Sequence, residues 1–117
     1  MSAEATIYTL LKGLVSNRVY PDVAPSGTAY PCIVYQQVGG QGISYTEGVL
    51  PNRENGRLQI VCWGPTRSAV IALAKQVESA VCASDLMARP LGARVSTYED
   101  DTQLYGARQD FDCWPLR

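Results

Sequence analysis

The chain has no histidine, and this absence excludes many enzyme classes. Without an imidazole there is no Ser-His-Asp or Cys-His catalysis, no histidine general base and no zinc site that needs a histidine ligand. No apolar run approaches the ~18 residues that a membrane-spanning helix needs, and the first residues lack the basic patch and apolar stretch of a signal peptide. We therefore expect a protein that stays in the cytosol where it is made and has no membrane partner.

A strong charge of either sign is also lacking. Ten Lys and Arg residues against eleven Asp and Glu residues give a net charge of −1, which argues against DNA binding by bulk charge. The seven tyrosines could stack on single-stranded nucleic acid, but they are spread along the chain with few basic neighbours. We expect them to pack in the core and at interfaces, and we expect no specific nucleic-acid recognition.

What is present is the composition of one globular domain. The 117 residues are 46% hydrophobic and 18% charged, which differs from both disordered and collagen-like chains. A chain of this length can bury a core without metal or disulfide staples, so residues 1–117 are predicted to form a single domain.

The cysteines occur singly rather than as Cys-x-x-Cys pairs. They are Cys32, Cys62, Cys82 and Cys113. Because an unpaired cysteine is among the most buried residue types, the favoured interpretation is four small buried apolar side chains. The alternative is a four-thiolate metal site, which the lack of paired ligands disfavours. We expect no cofactor.

Two segments have the apolar spacing of an amphipathic helix. In residues 2–15 the stripe consists of Ile7, Leu10, Leu11 and Leu14, with Ser2 as a candidate cap. In residues 67–83 it consists of Val70, Leu73, Ala74, Val77 and Val81, with Thr66 as the cap. The opposite face of the second helix carries Lys75, Glu78 and Ser79, a mixed set that is typical of a solvated surface.

Four segments are predicted to be strands: residues 32–38, 57–63, 94–98 and 104–114. In the last of these, apolar residues and Gln109 alternate with Arg108, Asp110 and Asp112, so the charges should point outward. Residues 18–27 should form a short extended piece and a loop, because two prolines and a glycine interrupt them. The order predicts an α+β domain in which two helices pack on one face of a mainly antiparallel sheet.

A long insertion separates the two central strands. Residues 39–55 are rich in glycine and too long for a tight hairpin, so we expect an extended arm or a long β-excursion. Its polar and aromatic side chains can pair across a partner surface but have no periodic place in a core. The candidate interface residues are Gln41, Tyr45, Glu47, Arg53 and Glu54.

No constellation in the sequence nominates an enzyme. Asp110 and Asp112, preceded by the acidic run 99–101, resemble a magnesium or glycosidase site, but strand alternation explains them without a function. The glycines of residues 39–42 lack the Lys-Ser/Thr that completes a P-loop. No serine or lysine has a recognisable activating base. We expect no catalytic residue and no metal site.

Three blocks of the chain resemble the tail completion proteins of long-tailed bacteriophages and prophages, also called tail terminator or head-tail joining proteins. The first block is RVYPDVAP at 18–25 with PCIVYQ at 31–36. The second is RLQIVCW at 57–63, leading into the Thr66 helix. The third is YEDD at 98–101 with LYGARQDFD at 104–112. Together they cover most of the chain.

The resemblance implies a small α+β subunit that forms a ring, commonly a hexamer, on the head-proximal end of the tail tube. Such a ring ends tube polymerisation and binds the head connector. The implied partners are further copies of the chain, the tail tube protein and the head connector protein, in the virion tail and in the bacterial host cytoplasm during assembly. The alternatives are a small cytosolic adaptor or regulatory binding protein, or an enzyme with an unrecognised site.

Overall fold

The computed structural model describes residues 3–42, 48 and 52–115. The helices are α1 (Ala3–Leu11), continued by a 3-10 turn at Lys12–Leu14, and α2 (Arg67–Cys82). The strands are β1 (Val19–Pro21), β2 (Cys32–Gln37), β3 (Gly56–Gly64), β4 (Arg89–Pro90), β5 (Val95–Glu99) and β6 (Leu104–Cys113). The α+β class predicted from the sequence is confirmed.

Helix α2 forms as its sequence predicts. The hydroxyl of Thr66 accepts a hydrogen bond from the Ala69 backbone N–H at 3.3 Å, which satisfies one of the free donors of the first turn. The predicted stripe of five apolar residues on α2 is buried throughout. Helix α1 ends sooner than the apolar stripe suggested, because the chain tightens at Lys12 and then turns through positive φ at Ser16 and Asn17. The predicted Ser2 cap lies outside the described residues.

The strands form one mixed sheet in the order β1-β2-β3-β6, with β4 and β5 both paired to the far edge of β6. The β1–β2 pairing is parallel and the other pairings are antiparallel. Strands β5 and β6, both predicted as strands, pair as an antiparallel hairpin. Strand β4 and the pairing of residues 19–21 were not predicted, because runs of two or three residues containing proline carry little strand pattern.

Both helices cover the same face of the sheet. The core joins Ile7 and Leu11 of α1 with the stripe of α2 and with alternate residues of the central strands. From the sheet it takes Ile33, Tyr35, Leu58, Ile60, Cys62, Ala107, Phe111 and Cys113. This two-layer arrangement leaves the other sheet face without a helix among the described residues. We call it the open face.

No helix in the described part of the chain is both long enough and apolar enough to cross a membrane.

Replacing Leu73 with Asp tests the two-layer arrangement. Leu73 is 6% exposed in the helix-sheet core, so an aspartate there loses apolar burial and leaves a carboxylate without solvent. We expect a loss of more than about 4 kcal/mol, a large part of the ~5–15 kcal/mol typical of a domain. The matched control is Gln76→Asp, which adds the same charge to the exposed side of α2. Urea unfolding should show a severe defect only for Leu73→Asp, and equal stability of the two variants would contradict the packing.

Candidate docking surface

The base of the arm between β2 and β3 is tied into the sheet. Beyond the last residue of β2, the Val38 N–H donates to the Arg57 carbonyl and the Arg57 N–H donates to the Gly39 carbonyl, both at 2.8 Å. The Gln41 N–H then donates to Asn55 Oδ1 at 2.7 Å. The ladder therefore continues past β2, and the arm leaves the sheet at a defined place.

Asn55 connects this base to β6. Its Nδ2 donates to Asp112 Oδ1 at 2.6 Å and to the Cys113 carbonyl at 3.2 Å, while its Oδ1 accepts from the Gln41 backbone. Asn55 thus uses both ends of its amide to join the two sides of the arm to the neighbouring strand.

The close approach of the two sides of the arm requires a glycine at position 40. Its φ is +144°, and a Cβ at this position would lie 2.5 Å from the carbonyl oxygen of Asn55. Only a residue without a side chain can bring the two sides of the arm this close.

The predicted interface residues differ in exposure, and two of them lie outside the described residues. Gln41 and Glu54 are exposed beside Asn55, and the Glu54 N–H donates to the Pro115 carbonyl at 3.1 Å. Arg53 is half-buried, and its Nη1 donates to the carbonyls of Trp114 and Asp85, so its guanidinium ties the arm to the C-terminal segment and to the loop after α2. Tyr45 and Glu47 lie outside the described residues.

Asp110 and Asp112 of β6 lie on the open face, where basic and amide side chains surround them. Arg57 donates to Asp110 Oδ2 through Nε at 2.9 Å and Nη2 at 2.7 Å. Arg89 Nε donates to Asp112 at 3.2 Å. The hydrogen bond from Asn55, more than the charge of Arg89, holds the pKa of Asp112 below its usual value. Among the described residues no group of three potential metal ligands is present.

The other end of the open face is apolar and hollow. Trp63 packs across Gly106 of β6, where a Cβ would lie 2.8 Å from the indole ring and 2.6 Å from Thr97 Oγ1. Beside the indole is a hollow of about 300 Å³. It is lined by Asp22, Val23, Ala24, Tyr30, Val34, Trp63, Glu99, Thr102 and Leu104.

The hollow was not predicted, because only the inward apolar residues of β3 were assigned a role. Val61 and Trp63 alternate with the core residues of β3 and remain half-buried on the open face. Apolar residues on both faces of a strand are a signal that both faces become covered. That signal was present in residues 60–63.

The prediction of four buried cysteines is wrong at one position. Cys32, Cys62 and Cys113 are buried, but Cys82 at the end of α2 is exposed, because the apolar stripe of the helix ends at Val81. All four are free thiols. Burial raises the pKa of Cys62 to about 12 and that of Cys113 to about 11. Partial burial and the nearby Glu78 raise the pKa of Cys82 as well.

Replacing Gly40 with Ala should destabilise the base of the arm. The added Cβ meets a backbone carbonyl and requires a backbone conformation that alanine disfavours, so we expect a loss of about 1–3 kcal/mol in urea unfolding. Gly42→Ala is the matched control, because a Cβ on Gly42 meets no described atom within 4 Å. The control should change stability by less than about 0.5 kcal/mol. Equal effects would show that the base is not held as described.

Thiol titration separates the four cysteines. In the native protein a disulfide reagent should label one group, Cys82, and after denaturation all four. The thiolate is the reactive form and the pKa of Cys82 is raised, so labelling should be slow at pH 8 and accelerate as the pH rises. Cys82→Ser should abolish native labelling. Rapid labelling of two or more thiols in the folded protein would overturn the assignment.

Comparison with known proteins identifies the family of the chain. A search of curated proteins finds no match. The family model described as Tail completion protein gp17 matches residues 1–115, a range that includes every described helix and strand. This agrees with the resemblance carried by the three sequence blocks. The chain therefore belongs to the phage tail completion protein family, whose members are structural proteins of the phage tail.

Proposed function

We propose that copies of this chain form a ring of six on the head-proximal end of the tail tube. The ring ends tube polymerisation and presents a surface to which the head connector binds. Its partners are then further copies of the chain, the tail tube protein and the head connector protein. The ring assembles in the cytoplasm of the bacterial host and remains in the virion tail.

The observation that carries this proposal is the open face of the sheet. A subunit at this position needs separate surfaces for its neighbours in the ring, for the tube and for the connector. The domain offers a helix layer on one side, an open sheet face on the other and an arm that leaves the sheet at a fixed place. Trp63 and the residues around it expose apolar area on the open face, which is typical of a surface that binds a protein.

We assign the contacts with the tube and the connector to the arm, with Gln41, Tyr45, Glu47 and Glu54 as contact residues. Arg53 belongs to the same segment, and its hydrogen bonds to Trp114 and Asp85 support a role in holding the arm rather than in touching a partner. A segment held at its base loses less conformational entropy on binding than a free loop does, which favours it as a docking element.

Replacing residues 42–51 with a Gly-Ser sequence of equal length tests this assignment. The replacement keeps Gly40, Arg53 and Asn55, so the base remains and the unfolding midpoint should change little. Particles assembled with the variant should have overlong tubes or tails that do not join heads, as should particles assembled without the protein. Negative-stain microscopy measures both properties.

Normal tails joined to heads in that experiment would show that residues 42–51, with Tyr45 and Glu47, make no essential contact. If the unmodified chain neither binds tail tubes nor changes their length, the proposed function itself fails and the adaptor interpretation replaces it.

A further inference from the structure

The hollow on the open face has an acidic rim. Asp22 and Glu99 are exposed at its edge, Asp100 and Asp101 follow in the adjoining turn, and none of the described residues that line it is basic. Arg108 projects from the same face further along β6 and does not line the hollow. The hollow therefore favours an apolar side chain accompanied by a positive charge.

The opposite layer of the domain exposes a side-chain pair of this kind. Tyr8 of α1 is 38% exposed, and the ammonium group of Lys12, one turn further along, lies 5.8 Å from the centre of its ring. We call Tyr8 and Lys12 the α1 knob. The knob and the hollow lie in opposite layers of the domain, with the sheet between them, so the described part of one chain cannot bring them together.

From this complementarity we propose that the α1 knob of one copy inserts into the acidic hollow of the next copy. Tyr8 occupies the space beside Trp63, and Lys12 pairs with Glu99 and Asp22 on the rim. The inference rests on the proposed function, since it supplies the contact between neighbours in the ring.

Symmetry favours this pairing over two others. Two hollows facing each other would bring four carboxylates together, which is repulsive. An acidic hollow could instead meet Arg108 of a second open face, but that contact is reciprocal and closes after two copies. A contact between opposite layers of the domain joins unlike surfaces, and only unlike surfaces can continue from copy to copy into a ring.

Charge reversal tests the proposed contact. Lys12→Glu and Glu99→Lys should each weaken self-association at least tenfold in sedimentation velocity and reduce the occupancy of tube ends. The double variant should recover association to within about threefold of the parent, because it restores the pair in reversed order. Lys75→Glu, on the exposed face of α2, is the control and should change nothing. Circular dichroism spectra of all variants should match that of the parent.

Cross-linking tests the same contact without relying on charge. In a Cys82→Ser background, a chain carrying both Lys12→Cys and Glu99→Cys should oxidise into a ladder of covalent multimers that ends at the size of the ring. Each single-cysteine variant has one reactive thiol, so it should form no covalent species larger than a dimer.

Three results would overturn the inference: single reversals that leave association unchanged, a charge-swapped double variant that is not rescued, or cross-linking of the double-cysteine chain that stops at dimers. Rescue of Glu99→Lys by Arg108→Glu would assign the hollow to a two-copy contact instead. In each of these cases, normal capping of tubes by the unmodified chain would still support the proposed function, and only the proposed contact would be wrong.

Discussion

The structure depends on one constraint, which is that both helices cover the same face of a sheet whose central strand carries apolar residues on both faces. Strand β3 directs Leu58, Ile60 and Cys62 into the core and Val61 and Trp63 away from it. The inward set stabilises the domain by burial under α1 and α2. The outward set is covered by neither helix and stays half-buried, so part of the hydrophobic driving force remains available for association.

The same constraint accounts for the polar end of the open face. There the outward residues are Arg57, Asp110 and Asp112, which pair with each other, with Asn55 and with Arg89. Exposed ion pairs contribute little to stability, so the main effect of this set is on the position of the arm. Through Asn55 it links the base of the arm to the sheet, so the place where the arm begins and the surface of the sheet are fixed together.

Much of the fold follows from short-range pattern. The stripe of α2, its Thr66 cap and the alternation along β6 are each specified by residues close in sequence, and each agrees with the structure. The parallel pairing of β1 and the addition of β4 depend on tertiary contacts, which short segments containing proline do not encode. The hollow is lined by residues far apart in the sequence, such as Val23, Trp63 and Glu99, which no local pattern brings together. For the same reason the sequence did not indicate that Arg53, a predicted interface residue, also donates to carbonyls 32 and 61 residues away.

The central claim is that this domain caps the tail as a ring, and electron cryomicroscopy of isolated tails tests it most directly. The account predicts a ring of six copies at the head-proximal end, with the open face of each copy against α1 of the next. A single copy at that end, or density for the chain at any other place along the tail, would contradict it.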